Sequence, residues 1–160
     1  MYLTITITDF EAGREQLVRR RYGVIETVGG KLRAIQLRPW PTLLSLPEIL
    51  PVGPRYHGRG DSDRCRLYYN QPLGSSNFLA LKYVVSTPGT SYATFRAALT
   101  VLDAIAELKR TDAIVCDASN LRISDRLLAR LGWEAHKPER WHRNFIRRFY
   151  GHYPSVTLPA

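Results

Sequence analysis

The sequence is poor in the residues that build metal sites and disulfide frameworks, with two cysteines and four histidines among 160 residues. His57, His136, His142 and His152 are scattered, without the close His and Cys pairs of a metal site, so no metal is expected. Cys65 and Cys116 stand alone, Cys116 within an apolar run. Such thiols fit small buried hydrophobes in a reducing compartment better than a disulfide framework. No apolar run approaches the roughly 18 residues that cross a bilayer, which excludes a spanning helix. The first residues alternate polar and apolar instead of giving the basic start and continuous apolar stretch of a secretory signal, so a cytoplasmic protein is expected. Acidic residues are also in deficit, 14 against 23 Lys and Arg, for a net charge of +9. That excess, mostly arginine, favours an anionic contact: a phosphate-bearing cofactor, nucleic acid or an acidic surface.

What is present is enough apolar surface for one ordinary core: 44% of the residues, read here as one domain over residues 1–160. Leu3, Ile5 and Ile7 alternate with Thr4, Thr6 and Thr8, which predicts a half-buried strand ending near Asp9. Phe10, Leu17, Val18 and Tyr22 then share a helical face, with Gly23 as the expected stop. Residues 24–28 and 31–37 flank Gly29-Gly30, a pair suited to the positive φ angles of a tight hairpin. Residues 39–63 carry five prolines and several glycines and read as a long connection. Two strands are predicted at 65–69 and 78–86. A turn over 87–91 supplies a hydroxyl N-cap for a helix over 92–110, whose Phe95, Ala98, Leu99, Leu102, Ile105 and Ala106 form one apolar stripe.

The all-apolar run Ala113-Ile114-Val115-Cys116 predicts a buried strand, and strand, helix, strand in succession implies a right-handed crossover between parallel strands. A further helix is expected over 121–131, burying Ile123, Leu127, Leu128 and Leu131 and ending at Gly132. The tail, with Trp141, Phe145, Phe149 and Tyr150 among arginines, reads as a final strand, although Trp141, Phe145 and Phe149 also recur at helical spacing.

From Phe78 onward, the order strand, helix, strand, Asn120, helix, Leu131-Gly132-Trp133 and terminal strand resembles the acyl-CoA N-acyltransferase (GNAT) family. The resemblance covers about half the chain. It implies a mixed, twisted α/β sheet of about six to seven strands flanked by helices, with acetyl-CoA or another acyl-CoA lying where the family's fourth and fifth strands splay. On the matching positions the pantetheine arm meets the backbone of Tyr83, Val84, Val85 and Ser86, and the Asn120 side chain. The family's pyrophosphate loop falls on Ser91, Tyr92, Ala93, Thr94, Phe95 and Arg96. A helix N-terminus suits an anion because its first N–H groups lack partners and its dipole is positive there.

This chain has lost every glycine of that loop. The Ser91 and Thr94 hydroxyls remain to help hold a phosphate, and Arg96 either pairs with it or blocks its approach. Leu128 stands where the family often has a tyrosine that protonates the leaving thiolate, which leaves Tyr150 or Tyr153 as substitutes, and Glu26 in the hairpin is a candidate base. The resemblance implies acyl transfer to an amine by direct attack on the thioester. The other reading keeps the fold without catalysis, as a binding module whose basic surface contacts nucleic acid or another acidic partner. Arg19-Arg20-Arg21 and the Arg122, Arg126, Arg130 stripe are the charged features such a module would use.

Overall fold

A computed structural model describes residues 3–40, 63–118, 123–136, 143–155 and 157–159. Residues 41–62 of the expected long connection, with His57 among them, and Asn120, Arg122, Trp141 and His142 lie outside the described residues. In chain order the elements are β1 (Ile5–Ile7), α1 (Arg14–Arg19), β2 (Tyr22–Val28), β3 (Lys31–Arg38), β4 (Arg64–Asn70), β5 (Phe78–Ser86), α2 (Tyr92–Leu108), β6 (Ala113–Asp117), α3 (Asp125–Arg130), β7 (Glu134–Ala135) and β8 (Asn144–Arg148). They form an α+β fold around one mixed eight-stranded sheet, in the order β1-β3-β2-β4-β5-β6-β8-β7.

The local signals explain most of these elements. Gly29 and Gly30 take φ of 57° and 79°, the left-handed pair that a two-residue hairpin between β2 and β3 requires. Ser91 caps α2, its hydroxyl accepting from the Thr94 N–H at 3.2 Å. The α2 stripe is buried as its spacing predicts, and Ala97, Val101 and Ala104 join it because α2 packs on β2, β3 and β4 while α1 covers part of its flank. β5 and β6 are parallel, as the crossover implies, and the tail is strand β8, antiparallel to β6.

Two boundaries differ from expectation. The first helix is only Arg14–Arg19: Tyr22 and Gly23 belong to β2, and Val18 is 48% exposed. Gly23 is not a helix stop. It lies opposite Tyr69, and a Cβ there would come within 2.5 Å of the Tyr69 hydroxyl, so the strand needs glycine to admit the ring. The helix before Gly132 starts at Asp125 because the Ser124 hydroxyl caps it, accepting from the Leu127 N–H at 3.1 Å. Of its expected apolar face only Leu128 is fully buried, while Ile123, Leu127 and Leu131 are half-buried.

That helix ends as its Gly-aromatic sequence predicts. The Trp133 N–H donates to the Leu128 carbonyl and the Gly132 N–H to the Ala129 carbonyl, a Schellman pairing with Gly132 at φ 88°. Arg147 crosses this turn, donating to the Leu131 carbonyl at 2.8 Å and to Asp103 at 3.0 Å. A Cβ on Gly132 would therefore meet both an unfavourable φ and the Arg147 guanidinium. Gly132→Ala is expected to cost ~1–2 kcal/mol for the left-handed conformation alone, read as a lower midpoint in chemical denaturation.

Cys65 and Cys116 are both buried and free, and burial pushes each thiol up to about 12. Since the thiolate is the reactive form, neither cysteine is expected to react with an aromatic disulfide at pH 8 until the chain unfolds. Rapid labelling of the folded protein would contradict this burial.

Candidate active site in the opening between β5 and β6

β5 carries one residue more than β4 opposite it. Tyr68 pairs with Tyr83 and Tyr69 with Leu81, which leaves Lys82 without a ladder partner as a bulge. A bulge bends its strand and increases the local twist. On its other side β5 pairs with β6 only from Phe78↔Ala113 to Leu81↔Cys116, so the ladder ends where the bulge begins. Beyond it, Val84, Val85 and Ser86 stay paired to β4 through Leu67, Arg66 and Cys65, but no described strand lies on their other edge.

The divergence opens a cleft of about 320 Å³. Leu81, Cys116 and Phe145 are its buried, apolar wall, and Lys82, Asp117, His136 and Asn144 supply polar groups. His136 is held by its backbone, with its N–H donating to the Asn144 carbonyl at 2.8 Å. Its ring meets Arg148, whose Nη2 lies 3.4 Å from Nδ1. A guanidinium is only a donor, so Nδ1 accepts and the neutral ring carries its proton on Nε2. Arg148 is anchored in turn by Glu134 at 2.6 Å. Sequence reading did not assign His136 a role. The signal was its place three residues after Trp133, directly after the strand antiparallel to β8, which became usable only once β8 was paired with β6.

The N-terminus of α2 follows β5 after a short turn and is already engaged by an anion from within the chain. The Ser91 N–H donates to Asp63 Oδ1 at 2.7 Å, and the Ser91 hydroxyl lies 3.0 Å from Asp63 Oδ2. The Ser91 N–H, with the Thr94 and Ser91 hydroxyls, holds the Asp63 carboxyl below its usual range against a smaller opposing effect of burial. Asp63 is also fixed through its main chain, its carbonyl accepting from the Gly29 N–H at 3.0 Å.

The loop residues expected to face a phosphate divide accordingly. Tyr92, Ala93 and Arg96 are exposed. Thr94 is fully buried and turned to the hairpin, accepting from the Gly30 N–H at 2.8 Å while its carbonyl accepts from Thr27 at 2.9 Å. Its hydroxyl does not face out toward a phosphate. Phe95 is a core residue.

The two catalytic candidates are not in the cleft. Glu26 pairs with Arg64 at 3.2 Å and Arg66 at 4.0 Å, with 13% of its side chain exposed. Tyr150 is 62% exposed and donates its N–H to the carbonyl of Asp112, at the start of β6, whereas the cleft lies at the end of that strand. The Tyr153 hydroxyl donates to the Thr111 carbonyl at that same far end. Leu128 is buried in the core, and no described group of three or more His, Cys, Asp or Glu is placed to hold a metal. No described helix is long and apolar enough to cross a membrane.

No family model matches the sequence, and no curated protein is significantly similar to it. Among solved structures, the chain is similar to a protein from Desulfovibrio desulfuricans assigned to the GNAT family of acetyltransferases, with 14% identity and a TM-score of 0.44 over 54% of this chain. The match spans 60% of that protein's length. A second similar structure is nourseothricin acetyltransferase, with 9% identity and a TM-score of 0.44, covering 92% of this chain and 99% of that one.

The Asp63 tie sets an acid dependence. A carboxyl whose pKa is depressed by folding adds stability above its unfolded value, about 3.9, and loses it as pH falls through the lower folded value. Asp63→Asn is therefore expected to flatten the acid limb of a melting temperature against pH curve below about pH 4, relative to the parent chain. An unchanged limb would show that the tie contributes nothing in solution.

Proposed function

We propose that the opening between β5 and β6 receives the thioester arm of an acyl-CoA and that the chain transfers its acyl group to an amine. The observation that carries this reading is the edge of Val84, Val85 and Ser86, which no described strand pairs and which follows directly on Leu81 and Lys82, two residues that line the cleft. An extended arm containing amides adds to such an edge as another strand would, through main-chain hydrogen bonds that do not depend on side-chain identity. Asn120 and the single-domain organisation over residues 1–160 belong to the same reading.

Transfer then needs few side chains. The neutral amine attacks the thioester carbonyl, a C–N bond forms, the C–S bond breaks, and the thiolate leaves. With Leu128 unable to give a proton, His136 Nε2–H is the hydrogen-bond donor we assign to the sulfur as its charge develops, and the proton the thiolate finally takes comes from the new ammonium through water. Glu26, committed to two arginines, is a weaker choice of base than water.

The test is calorimetric titration with acetyl-CoA, with Ala80→Trp as the control, because Ala80 lines the cleft. Binding at submillimolar concentration is expected for the parent chain, and its loss in Ala80→Trp with the circular dichroism spectrum retained. Absence of binding near 1 mM, a standard free energy weaker than about −4 kcal/mol, would overturn the reading.

A further inference from the structure

We infer that Asp63 makes recognition of the acyl donor indifferent to the nucleotide half of CoA. This rests on the reading that the thioester arm lies along the free edge of β5. An arm laid along Val84 to Ser86 brings whatever follows it to the first turn of α2, which begins six residues after Ser86. The donors at that turn are limited, and the chain uses part of them itself. Asp63 takes the Ser91 N–H, the Ser91 hydroxyl takes the Thr94 N–H, and the Thr94 hydroxyl takes the Gly30 N–H. Only the Tyr92 and Ala93 N–H groups in that turn have no acceptor among the described residues.

A diphosphate at this place would find only the Tyr92 and Ala93 N–H groups and would also face a fixed carboxylate. Asp63 is held at both its carboxylate and its carbonyl, so it is not a loose side chain that swings aside. The nearby Arg64 is drawn to Glu26 rather than to the helix terminus. Arg96 is exposed one turn further along α2, beyond the Ser91 to Asp63 contact. The negative charge that the helix dipole favours is thus supplied internally, and binding energy from a donor must come from its arm and acyl group.

The experiment compares three probes by calorimetry at one ionic strength: acetyl-CoA, S-acetylpantetheine, and the nucleotide fragment 3′-phosphoadenosine 5′-diphosphate. For the parent chain the two thioesters are expected to bind within about threefold of each other, and the fragment to show no binding near 1 mM. Asp63→Ala is expected to tighten acetyl-CoA by about tenfold or more, to make binding of the fragment measurable, and to leave S-acetylpantetheine unchanged. Asp63→Asn keeps an acceptor for the Ser91 N–H and retains the fold if Asp63→Ala does not; its expected gain is smaller, about threefold. The inference is overturned if the parent chain prefers acetyl-CoA over S-acetylpantetheine by more than about tenfold, or if neither variant gains affinity for acetyl-CoA or the fragment. If no thioester binds any form while the fragment binds Asp63→Ala but not the parent, the thioester reading fails and the role of Asp63 stands.

Discussion

The unpartnered Lys82 of β5 fixes where the cleft between β5 and β6 begins. Without it, β5 and β6 would continue side by side, and the crossover through α2 would end in a closed parallel ladder with nothing between its strands. With it, the last residues of β5 turn away from β6 while staying bonded to β4, and β6 keeps its partner β8. The sheet stays continuous through its core and opens only at one end. Most of the cleft's described lining comes from strands β5, β6 and β8.

The features that were legible in the sequence are those fixed by near neighbours. Gly29-Gly30 demanded its turn, the α2 stripe demanded burial on one face, and Gly132 followed by Trp133 demanded the helix end that is observed. Gly23 misled because a glycine after an amphipathic stretch reads as a helix stop, whereas its reason is Tyr69 on a neighbouring strand. The bulge was illegible for a similar reason. Nothing about Lys82 or its neighbours marks an extra residue, which exists only relative to the register of β4. Asp63 was hidden by distance, since the N–H it takes lies 28 residues away. These three misses concern contacts between segments, which propensity and periodicity do not encode.

The arginine excess also takes on a different meaning. Arg21 donates to the carbonyls of Gln71 and Pro72, Arg143 to those of Ala118 and Ile123 and to Asp125, and Arg147 to Leu131 and Asp103. These guanidinium groups act as staples for chain reversals, a use that suits a fork with several donors better than an ammonium. Arg143 in particular fastens the segment leaving β6 to the start of α3. Part of the positive charge that suggested an anionic partner is therefore engaged in holding the fold.

The crossover from β5 through α2 to β6 joins strands whose paired residues are about 35 positions apart, and its helix supplies much of the apolar core. Because that helix also packs on β2, β3 and β4, the strand, helix, strand unit has the character of a persistent cooperative block. Its amides are then among the last to exchange with solvent, while β1 and β7, short strands at the two sheet edges, exchange first. The floor of the cleft belongs to the slowest part of the molecule to open.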